Sequence, residues 1–375
     1  MTNAPREAAP TTLAIAVGAS DGRIWGITPK ARLERTFRRL GLGDADLADL
    51  PAGPGVVLAH AAWVFDESLI RALAARPETV LVDDTGRAVA VHVASAGAAA
   101  AARALEAGES LDGQRLTAIE LAGAYNSALR KREPPVLERL TAQTVRPVEK
   151  RLFQGSYKGV TDLVTKYLWP TPARVVTRWC ALAGITPNQV TFASFVLVLA
   201  ALYLFWIGQF GWGLAAAWVM TFLDTVDGKL ARVTLQSSPL GNVFDHGIDL
   251  IHPPFWWWAW VVGVQATAHP LAQPELILAV VVGGYVAQRL LEGIFLAGFK
   301  VEMHAWRPFD SFFRLITARR NPNLILLTGA TLAGRPDVGM LLVAAWTGAS
   351  LAVHLVQCLQ AWAAPRGAVV SWLSR

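Results

Sequence analysis

The feature that most constrains the fold is a change in hydropathy near residue 190. From that point almost to the C-terminus, long apolar segments follow one another. About 20 apolar residues in a helix cross the hydrocarbon core of a bilayer. The segments predict six transmembrane helices, at 190–208, 212–223, 243–264, 276–299, 322–334 and 338–363. The fifth is short for a span, and we expect it to take in residues before Asn321.

The first 145 residues have the pattern of a soluble α/β domain instead. Strand candidates at 12–18, 56–65, 79–82 and 88–93 alternate with helical stretches at 31–40, 68–75 and 96–107. Strands that alternate with helices are typical of a doubly wound sheet. The N-terminus lacks the basic flank and apolar run of a secretory signal, so this domain is expected in the cytoplasm.

The junction at 146–188 mixes apolar residues with lysine, arginine and tryptophan. This composition predicts a linker and an amphipathic helix along the membrane surface, broken at Pro170 and Pro172. A linker helix packed on the first domain is the alternative. The resulting division is 1–145, 146–188 and a six-helix domain at 189–365, with a cytoplasmic tail at 366–375.

Positive charge indicates the orientation. Lysine and arginine are concentrated before residue 190, at 229–232 and in the loop 300–320, whereas the other connections carry almost none. The positive-inside rule therefore places both termini and this loop in the cytoplasm. The net charge of +6 would also suit nucleic acid, but the chain has no basic run with interleaved aromatics. We therefore expect membrane lipid as a partner, and no nucleic acid.

Four aspartates lie near the cytoplasmic ends of the second and third predicted spans. Asp224 and Asp227 are three apart on one helix face, and Asp245 and Asp249 are four apart on the next. A tight turn at 236–241 would bring the two faces together. Four carboxylates this close require compensating charge. Oxygen ligands without cysteine suit Mg²⁺ or Mn²⁺, and a pair of such ions commonly binds a pyrophosphate.

Small and basic residues surround these aspartates. Gly228 and Gly241 leave room for a nucleotide to approach the backbone, and Ala231 keeps the same surface shallow. Arg232 is placed to contact a phosphate. Lys229 is a weaker candidate, because its side chain is equally suited to extend to the membrane interface.

The segment 224–249 resembles the signature of the CDP-alcohol phosphotransferase family. The positions that fill this signature, with the family's spacing, are Asp224, Asp227, Gly228, Ala231, Arg232, Gly241, Asp245 and Asp249. The six-span pattern and the stretch ITPNQVT at 185–191 are also similar to the family. The resemblance covers about residues 160–365.

The resemblance implies an enzyme of phospholipid biosynthesis. It assigns the metal ions to Asp224, Asp227, Asp245 and Asp249. It assigns the CDP pocket to Asn188, Gly228, Ala231, Arg232 and Gly241. Asp249 would act as the general base while an acceptor hydroxyl attacks the β-phosphate of a CDP-alcohol and CMP leaves.

The family also implies a homodimer, here in a bacterial inner membrane with the active site facing the cytoplasm. The donor most in keeping with such a chain is CDP-diacylglycerol, with a polar acceptor such as an inositol or glycerol phosphate. A CDP-linked polar alcohol with a lipid acceptor remains the alternative.

Three arginines are candidates for an anionic acceptor group: Arg289 in the fourth span, and Arg319 and Arg320 before the fifth. Alternatively, Arg289 pairs with Glu292, and the other two are positive-inside anchors. We expect His246 to point away from the metal site. Four tryptophans of the third span are expected to face lipid, namely Trp256, Trp257, Trp258 and Trp260.

The stretch 17–41 resembles a degenerate form of the N-terminal segment of sugar nucleotidyltransferases. The positions that carry this likeness are Gly18, Gly22, Arg23, Pro29 and Lys30. In the later strand, Ala62 stands where that family has a metal-binding aspartate. We therefore expect a degenerate domain without catalysis. An active cytidylyltransferase, which would make the enzyme bifunctional, is the alternative.

A transporter or ion-coupled carrier is the competing functional class, because it too would have carboxylates inside six spans. The aspartates, however, cluster at one membrane face. The sequence also lacks matching interrupted helices in two inverted halves. It therefore favours the enzyme.

Overall fold

The computed structural model describes residues 12–20, 22–126, 129–236, 239–365 and 367–374, with only the backbone for 239–240 and 242–246. The chain divides into two compact units. The first comprises residues 1–126, 132–156 and 233–235, and the second comprises 127–131, 157–232 and 236–375.

The first unit is an α/β structure. Its strands are β1 (Thr12–Val17), β2 (Gly43–Asp44), β3 (Gly55–His60), β4 (Trp63–Phe65), β5 (Thr79–Val82), β6 (Ala88–Ala94), β7 (Gln114–Leu116), β8 (Tyr125–Asn126), β9 (Lys131–Arg132, at the boundary of the units) and β10 (Leu137–Arg139). Its helices are α1 (Pro29–Arg39), α2 (Glu67–Ala74), α3 (Ala98–Ala107), α4 (Ala118–Ala122) and α5 (Val145–Gly155). The predicted strand at 56–65 is wrong as a single element, because β4 leaves the main sheet to pair with β10.

Six strands form the main sheet, in the order β2-β1-β3-β6-β5-β7. β6 runs antiparallel to both of its neighbours, so the sheet is mixed and not purely parallel. Along β3, Val56 and Leu58 belong to one hydrophobic cluster while Val57 and Ala59 belong to another. Side chains alternate between the faces of a strand, so both faces of this sheet are covered.

The second unit is helical. Its helices are α6 (Pro170–Leu182), α7 (Pro187–Trp206), α8 (Phe210–Thr234), α9 (Pro239–Gln265), α10 (Pro274–Phe299), α11 (Pro308–Phe313), α12 (Arg320–Leu332) and α13 (Pro336–Ala363). Among the described residues, three helices are long and apolar enough to cross a membrane: α7, α10 and α13. A helix lies at each of the six predicted positions. Among the described residues, only these three are both long enough and apolar enough for a span, so six spans remain a prediction.

The tryptophans of α9 correct one expectation. Trp256, Trp257 and Trp260 are at most 1% exposed, whereas Trp258 is 43% exposed. The indole N–H of Trp256 donates to the carbonyl of Val198 on α7 at 3.0 Å. The buried tryptophans therefore pack between helices, because positions 256 and 260 share the face of α9 that meets α7. Only Trp258 fits the lipid-facing prediction.

Candidate functional site

Two of the predicted aspartates converge on one arginine. Asp224 lies on α8, Asp249 on α9 and Arg320 at the first position of α12. Nη2 of Arg320 is 2.5 Å from Oδ2 of Asp224, and Nη1 is 2.5 Å from Oδ1 of Asp249. A single guanidinium therefore spans the gap between carboxylates from two helices, which is the juxtaposition that the sequence predicted for this pair.

Asp227 is held by a residue that the sequence did not single out. Its side chain is buried, and Oδ2 accepts a hydrogen bond of 2.7 Å from the hydroxyl of Thr191 on α7. That hydroxyl also lies 3.1 Å from the carbonyl of Pro187, but it has one proton and the shorter contact is to the carboxylate. Thr191 lies in the stretch 185–191, whose likeness to the family was the available signal.

The remaining motif positions divide into two groups. The side chains of Asp245 and His246 lie outside the described residues, and the roles of both remain predictions. Gly241 is half-buried. The turn predicted at 236–241 is described only in part, between the end of α8 and the start of α9.

Three of the predicted nucleotide-contacting residues, Gly228, Ala231 and Arg232, lie along α8, whereas Asn188 lies on α7 and Gly241 on α9. A Cβ atom added to Gly228 would have nothing closer than a guanidinium nitrogen of Arg232, at 4.0 Å, so the surface there is open. Ala231 is half-buried. Lys229 is buried and its ammonium lies 3.5 Å from the ring centroid of Tyr157, so its predicted extension to the interface is wrong. Asn188 is exposed in the first turn of α7.

A cavity of about 560 Å³ opens beside Asp249 and Arg320. Six basic and four acidic side chains line it, so positive charge is in excess. The basic ones are Arg130, Lys158, Arg289, Arg314, Arg319 and Arg320. The acidic ones are Asp162, Asp249, Glu292 and Glu302. All three predicted acceptor arginines are therefore in one cavity wall, next to the aspartate pair.

Glu292 on α10 holds two of these arginines. Its Oε1 is 2.7 Å from Nη2 of Arg289, which confirms the pair that the spacing suggested. Its Oε2 is 2.5 Å from Nη2 of Arg319. The ring of His304 contacts the same carboxylate at 3.2 Å. One acidic side chain thus carries two guanidinium groups.

Three further cations in the cavity were missed by sequence reasoning: Arg130, Lys158 and Arg314. Burial and the neighbouring Arg130 lower the pKa of Lys158. Burial, followed by Arg319, lowers the pKa of Arg314 to about 9, which still leaves the guanidinium charged at neutral pH. Nη1 of Arg314 is buried without a hydrogen-bond partner among the described residues. Lys158 and Arg314 lie in segments that were predicted to be a linker and an anchoring loop, so no sequence signal pointed to them.

Asp162 fixes the linker to the start of α12. Its carboxylate accepts hydrogen bonds from the backbone N–H of Thr165 and from Nδ2 of Asn321, both at 3.0 Å. Burial disfavours its charged form, but Arg314 and these hydrogen bonds outweigh that effect and keep the pKa of Asp162 below its ordinary value. The wall that carries Arg319 and Arg320 is therefore tied to the chain before α6.

Glu292, His304 and His354 form a second group with the spacing of a metal site. One ligand atom from each lies within 4.8 Å of the others. Charge decides against a cation at this place, because two guanidiniums already pair with the carboxylate. Burial lowers the pKa of His304 to about 3, so its ring is neutral at physiological pH. We interpret the group as a set of contacts that hold the side chains of Arg289 and Arg319 in position.

The aspartate pair fits a divalent cation better. The donors there are carboxylate oxygens, which Mg²⁺ and Mn²⁺ prefer. The shared contact with Arg320 demonstrates that a positive charge between Asp224 and Asp249 is accommodated.

Comparison with known proteins gives a family match over the same segment. Residues 184–320 match the family model described as CDP-alcohol phosphatidyltransferase. The matched range contains all four aspartates of the motif and ends at Arg320.

Individual relatives match over shorter stretches. Cholinephosphotransferase 1 of Xenopus laevis is 32% identical over 135 residues, which cover 31% of this chain and 30% of the relative. Archaetidylinositol phosphate synthase of Pyrococcus horikoshii is 40% identical over 79 residues, which cover 21% of this chain and 42% of the relative. The chain therefore spans less than half the length of both curated relatives.

Among solved structures, one similar chain is phosphatidylinositol phosphate synthase of Mycobacterium tuberculosis with CDP-DAG bound. The two are 20% identical, and the match covers 53% of this chain and 96% of the other. The TM-score of 0.41 is too low to establish a shared fold.

Proposed function

Residues 184–320 form a CDP-alcohol phosphatidyltransferase domain, and on that premise we propose that the chain transfers a phosphoalcohol group from a CDP-alcohol to a hydroxyl acceptor, releasing CMP. The observation that carries the proposal is the convergence of Asp224 and Asp249, from different helices, beside a cavity with excess positive charge. A transporter would not need this pairing of a carboxylate cluster with an anion-binding cavity at one end of the helices.

The proposed reaction assigns a proton transfer to Asp249. Its carboxylate borders the cavity and takes the proton from the acceptor hydroxyl. The hydroxyl oxygen forms a bond to the β-phosphorus of the donor. The bond from that phosphorus to the bridging oxygen breaks, and CMP leaves with the electron pair. No covalent enzyme intermediate is required.

The motif aspartates supply the cation ligands in this proposal. Mg²⁺ or Mn²⁺, as two ions held by Asp224, Asp227, Asp245 and Asp249, would stabilise the charge on the phosphates. Thr191 orients Asp227 toward that role through its hydroxyl. Asn188, Gly228, Ala231, Arg232 and Gly241 are the proposed contacts of the CDP moiety.

We propose that the acceptor is anionic, and therefore that CDP-diacylglycerol is the donor. The support is the surplus of basic side chains in the cavity, with Arg289, Arg319 and Arg320 in its wall. An inositol or glycerol phosphate has the required charge. The names of the relatives leave room for the opposite arrangement, because one is a cholinephosphotransferase and the other an archaetidylinositol phosphate synthase.

We propose that the helices at all six predicted positions cross a bacterial inner membrane, with the site and both termini in the cytoplasm. α8 and α9 have 25 and 27 residues, ample for a span. The 13 residues of α12 reach roughly 20 Å, so its crossing requires the residues that flank the helix. In α6, Val175, Trp179 and Leu182 are exposed on one side, as suits a helix on the membrane surface. A homodimer is expected by analogy with the family.

We propose that the first unit does not catalyse nucleotidyl transfer. Ala62 provides no carboxylate where a metal ligand would be required. After β1, Gly18 adopts a positive φ of 72°, and its N–H donates to Oε1 of Glu106 at 2.7 Å. The backbone N–H that a phosphate would need as a hydrogen-bond donor is therefore already bonded to the carboxylate of Glu106. Pyrophosphate release from CTP by the full chain would contradict this proposal and support the bifunctional alternative.

Activity of the purified full chain tests the main proposal. CDP-diacylglycerol and glycerol phosphate or inositol phosphate are supplied with Mg²⁺, with Mn²⁺ or with EDTA, and CMP is measured. We expect release that depends on the metal and falls by about 10²–10⁴-fold in Asp249→Asn. The control is Asp337→Asn, which removes a carboxylate paired with Arg335 outside the cavity. Full turnover by Asp249→Asn would sink the base assignment.

A further inference from the structure

Arg320 stands in a place that its helix does not favour. It is the first residue of α12, and the N-terminus of a helix carries partial positive charge that disfavours a cation. Its side chain is only 14% exposed, so solvent does little to compensate. Two acidic side chains, Asp224 and Asp249, provide the compensation, each at 2.5 Å.

The geometry points to a role for Arg320 as an exchangeable counter-ion: we propose that its guanidinium neutralises Asp224 and Asp249 until divalent cations bind, and is then released into the cavity to bind a phosphate oxygen. The inference rests on the proposed function, because it needs the aspartates to be the metal site. It adds an order of events, in which metal binding creates part of the anion site.

Competition for the same oxygens is the first reason. Oδ2 of Asp224 and Oδ1 of Asp249 are in contact with guanidinium nitrogens, so a cation that uses these oxygens must displace Arg320. A dication beside a retained guanidinium would also be repelled, because two positive charges would share the space between the same carboxylates.

The surroundings of Arg320 provide the second reason. The same side chain lines the cavity, so displacement from the carboxylates moves it toward space that already has excess positive charge. Its Nε is buried without a hydrogen-bond partner among the described residues, so the guanidinium has an unused donor. An incoming phosphate would satisfy the donors that the carboxylates give up.

Arg319 shares the cavity lining and the buried Nε without a described hydrogen-bond partner, but not the aspartate partners, and so provides a matched comparison. It is adjacent in the chain, lines the same cavity and is also ion-paired, but its partner is Glu292, outside the motif. If positive charge in the cavity merely weakened metal binding, removing either arginine would raise the metal affinity. If a guanidinium must be displaced by the metal, only the removal of Arg320 would raise it strongly.

Mn²⁺ affinity measures the exchange without reference to activity. Mn²⁺ binding to the purified full chain is followed by electron paramagnetic resonance of the free ion, for wild type, Arg320→Gln and Arg319→Gln. We expect Arg320→Gln to lower the Mn²⁺ dissociation constant by at least about tenfold. Arg319→Gln should lower it much less. Because Arg320→Gln leaves two carboxylates without a counter-ion, its melting temperature in EDTA should fall, and Mn²⁺ should restore it.

Three outcomes separate the possibilities. A wild-type chain that binds no Mn²⁺ overturns the proposed metal site, and the exchange with it. Binding by wild type with equal or weaker affinity in a folded Arg320→Gln overturns the exchange alone. Should Arg320→Gln fail to fold, Arg320→Lys provides the test, because a lysine cannot bridge both carboxylates and should also bind Mn²⁺ more tightly. Unchanged affinity in Arg320→Lys then counts against the exchange.

Discussion

Two groups of charged side chains border the same cavity, and they have opposite ratios of acidic to basic groups. At the aspartate centre, Asp224 and Asp249 share the single guanidinium of Arg320. At the glutamate centre, Glu292 alone carries the guanidiniums of Arg289 and Arg319. The first has an excess of negative charge and the second an excess of positive charge. The difference supports the proposal that the aspartate centre binds the cation and that the glutamate centre binds the anionic group of a substrate.

The comparison shows why distance alone is a poor guide to a metal site. The ligand atoms of Glu292, His304 and His354 are closely grouped, yet the carboxylate there is already over-neutralised. The aspartate centre holds its one described cation as a bridge between helices. Affinity for a cation depends on the net charge that remains after the side chains have paired with one another. Of the two centres, only the aspartate centre retains a net negative charge.

The largest effect is expected from removing the carboxylate of the glutamate centre. Glu292→Gln leaves two half-buried guanidiniums without this counter-ion and should destabilise the chain by up to about 3 kcal/mol, the lower end of the cost of breaking a buried ion pair. Asp224→Asn should cost much less, because Arg320 keeps its pair with Asp249. Thermal unfolding of both variants in detergent, without added metal, measures the difference.

Glu275→Gln is the control for this prediction. Glu275 is an exposed acidic residue in the first turn of the same helix, α10, and its loss should leave the unfolding temperature nearly unchanged. Equal destabilisation by Glu292→Gln and Asp224→Asn would break the contrast in stoichiometry between the two centres.

The glutamate centre should also be sensitive to acid through His304. Its ring is 3% exposed and faces Glu292, Arg314, Arg319 and His354. Its pKa is about 3 when folded against an ordinary value of 6.5, so the unfolded chain binds the proton first. Stability from the neutral ring is full above pH 6.5 and is lost as the pH falls toward 3.

Between pH 7 and pH 5 this loss amounts to about 2 kcal/mol. We expect the wild-type unfolding temperature to fall more steeply over that interval than that of His304→Gln, which cannot titrate at this position. Parallel slopes would mean that the histidine is protonated inside the folded chain.

Sequence reasoning was strongest where position along a helix determines contact. The spacings of Asp224 with Asp227 and of Asp245 with Asp249, joined by a turn, predicted two facing sets of carboxylates. The spacing of Arg289 and Glu292 offered their pair as one of two alternatives. It failed at Trp256, which reads as a lipid anchor, because a buried face and a lipid face are equally apolar. The contacts of Glu292 with Arg319 and His304 could not be predicted, and neither could the bridge that Arg320 forms between two aspartates. All of these contacts depend on how segments distant in the sequence pack together.

Arg314 tests whether the glutamate side of the cavity binds an anion. Its Nη1 has no partner among the described residues, so an anionic acceptor would provide one. Arg314→Gln should raise KM for a phosphorylated acceptor by roughly tenfold with little change in kcat, which corresponds to about 1.4 kcal/mol. It should weaken competition by inorganic phosphate to the same degree.

Arg307→Gln is a suitable control for Arg314, because Arg307 pairs with Asp310 and does not line the cavity. An unchanged KM in Arg314→Gln would remove the anion from this side and would favour an uncharged lipid acceptor.

The smallest effect concerns a contact between a hydroxyl and a carboxylate at the aspartate centre. Thr191→Val keeps the shape of the side chain but removes the hydroxyl that donates to Asp227, a hydrogen bond to a charged group of about 1.5–3 kcal/mol. Mn²⁺ affinity should fall severalfold, because the carboxylate loses its orientation while its charge is unchanged. Ser194→Ala removes a hydroxyl from the next turn of α7, where the contact to the carbonyl of Met220 is 3.5 Å, and should leave the affinity unaltered. Equal Mn²⁺ affinity in Thr191→Val and wild type would mean that charge alone organises this centre, which would reduce its contrast with the glutamate centre to a difference in counter-ions.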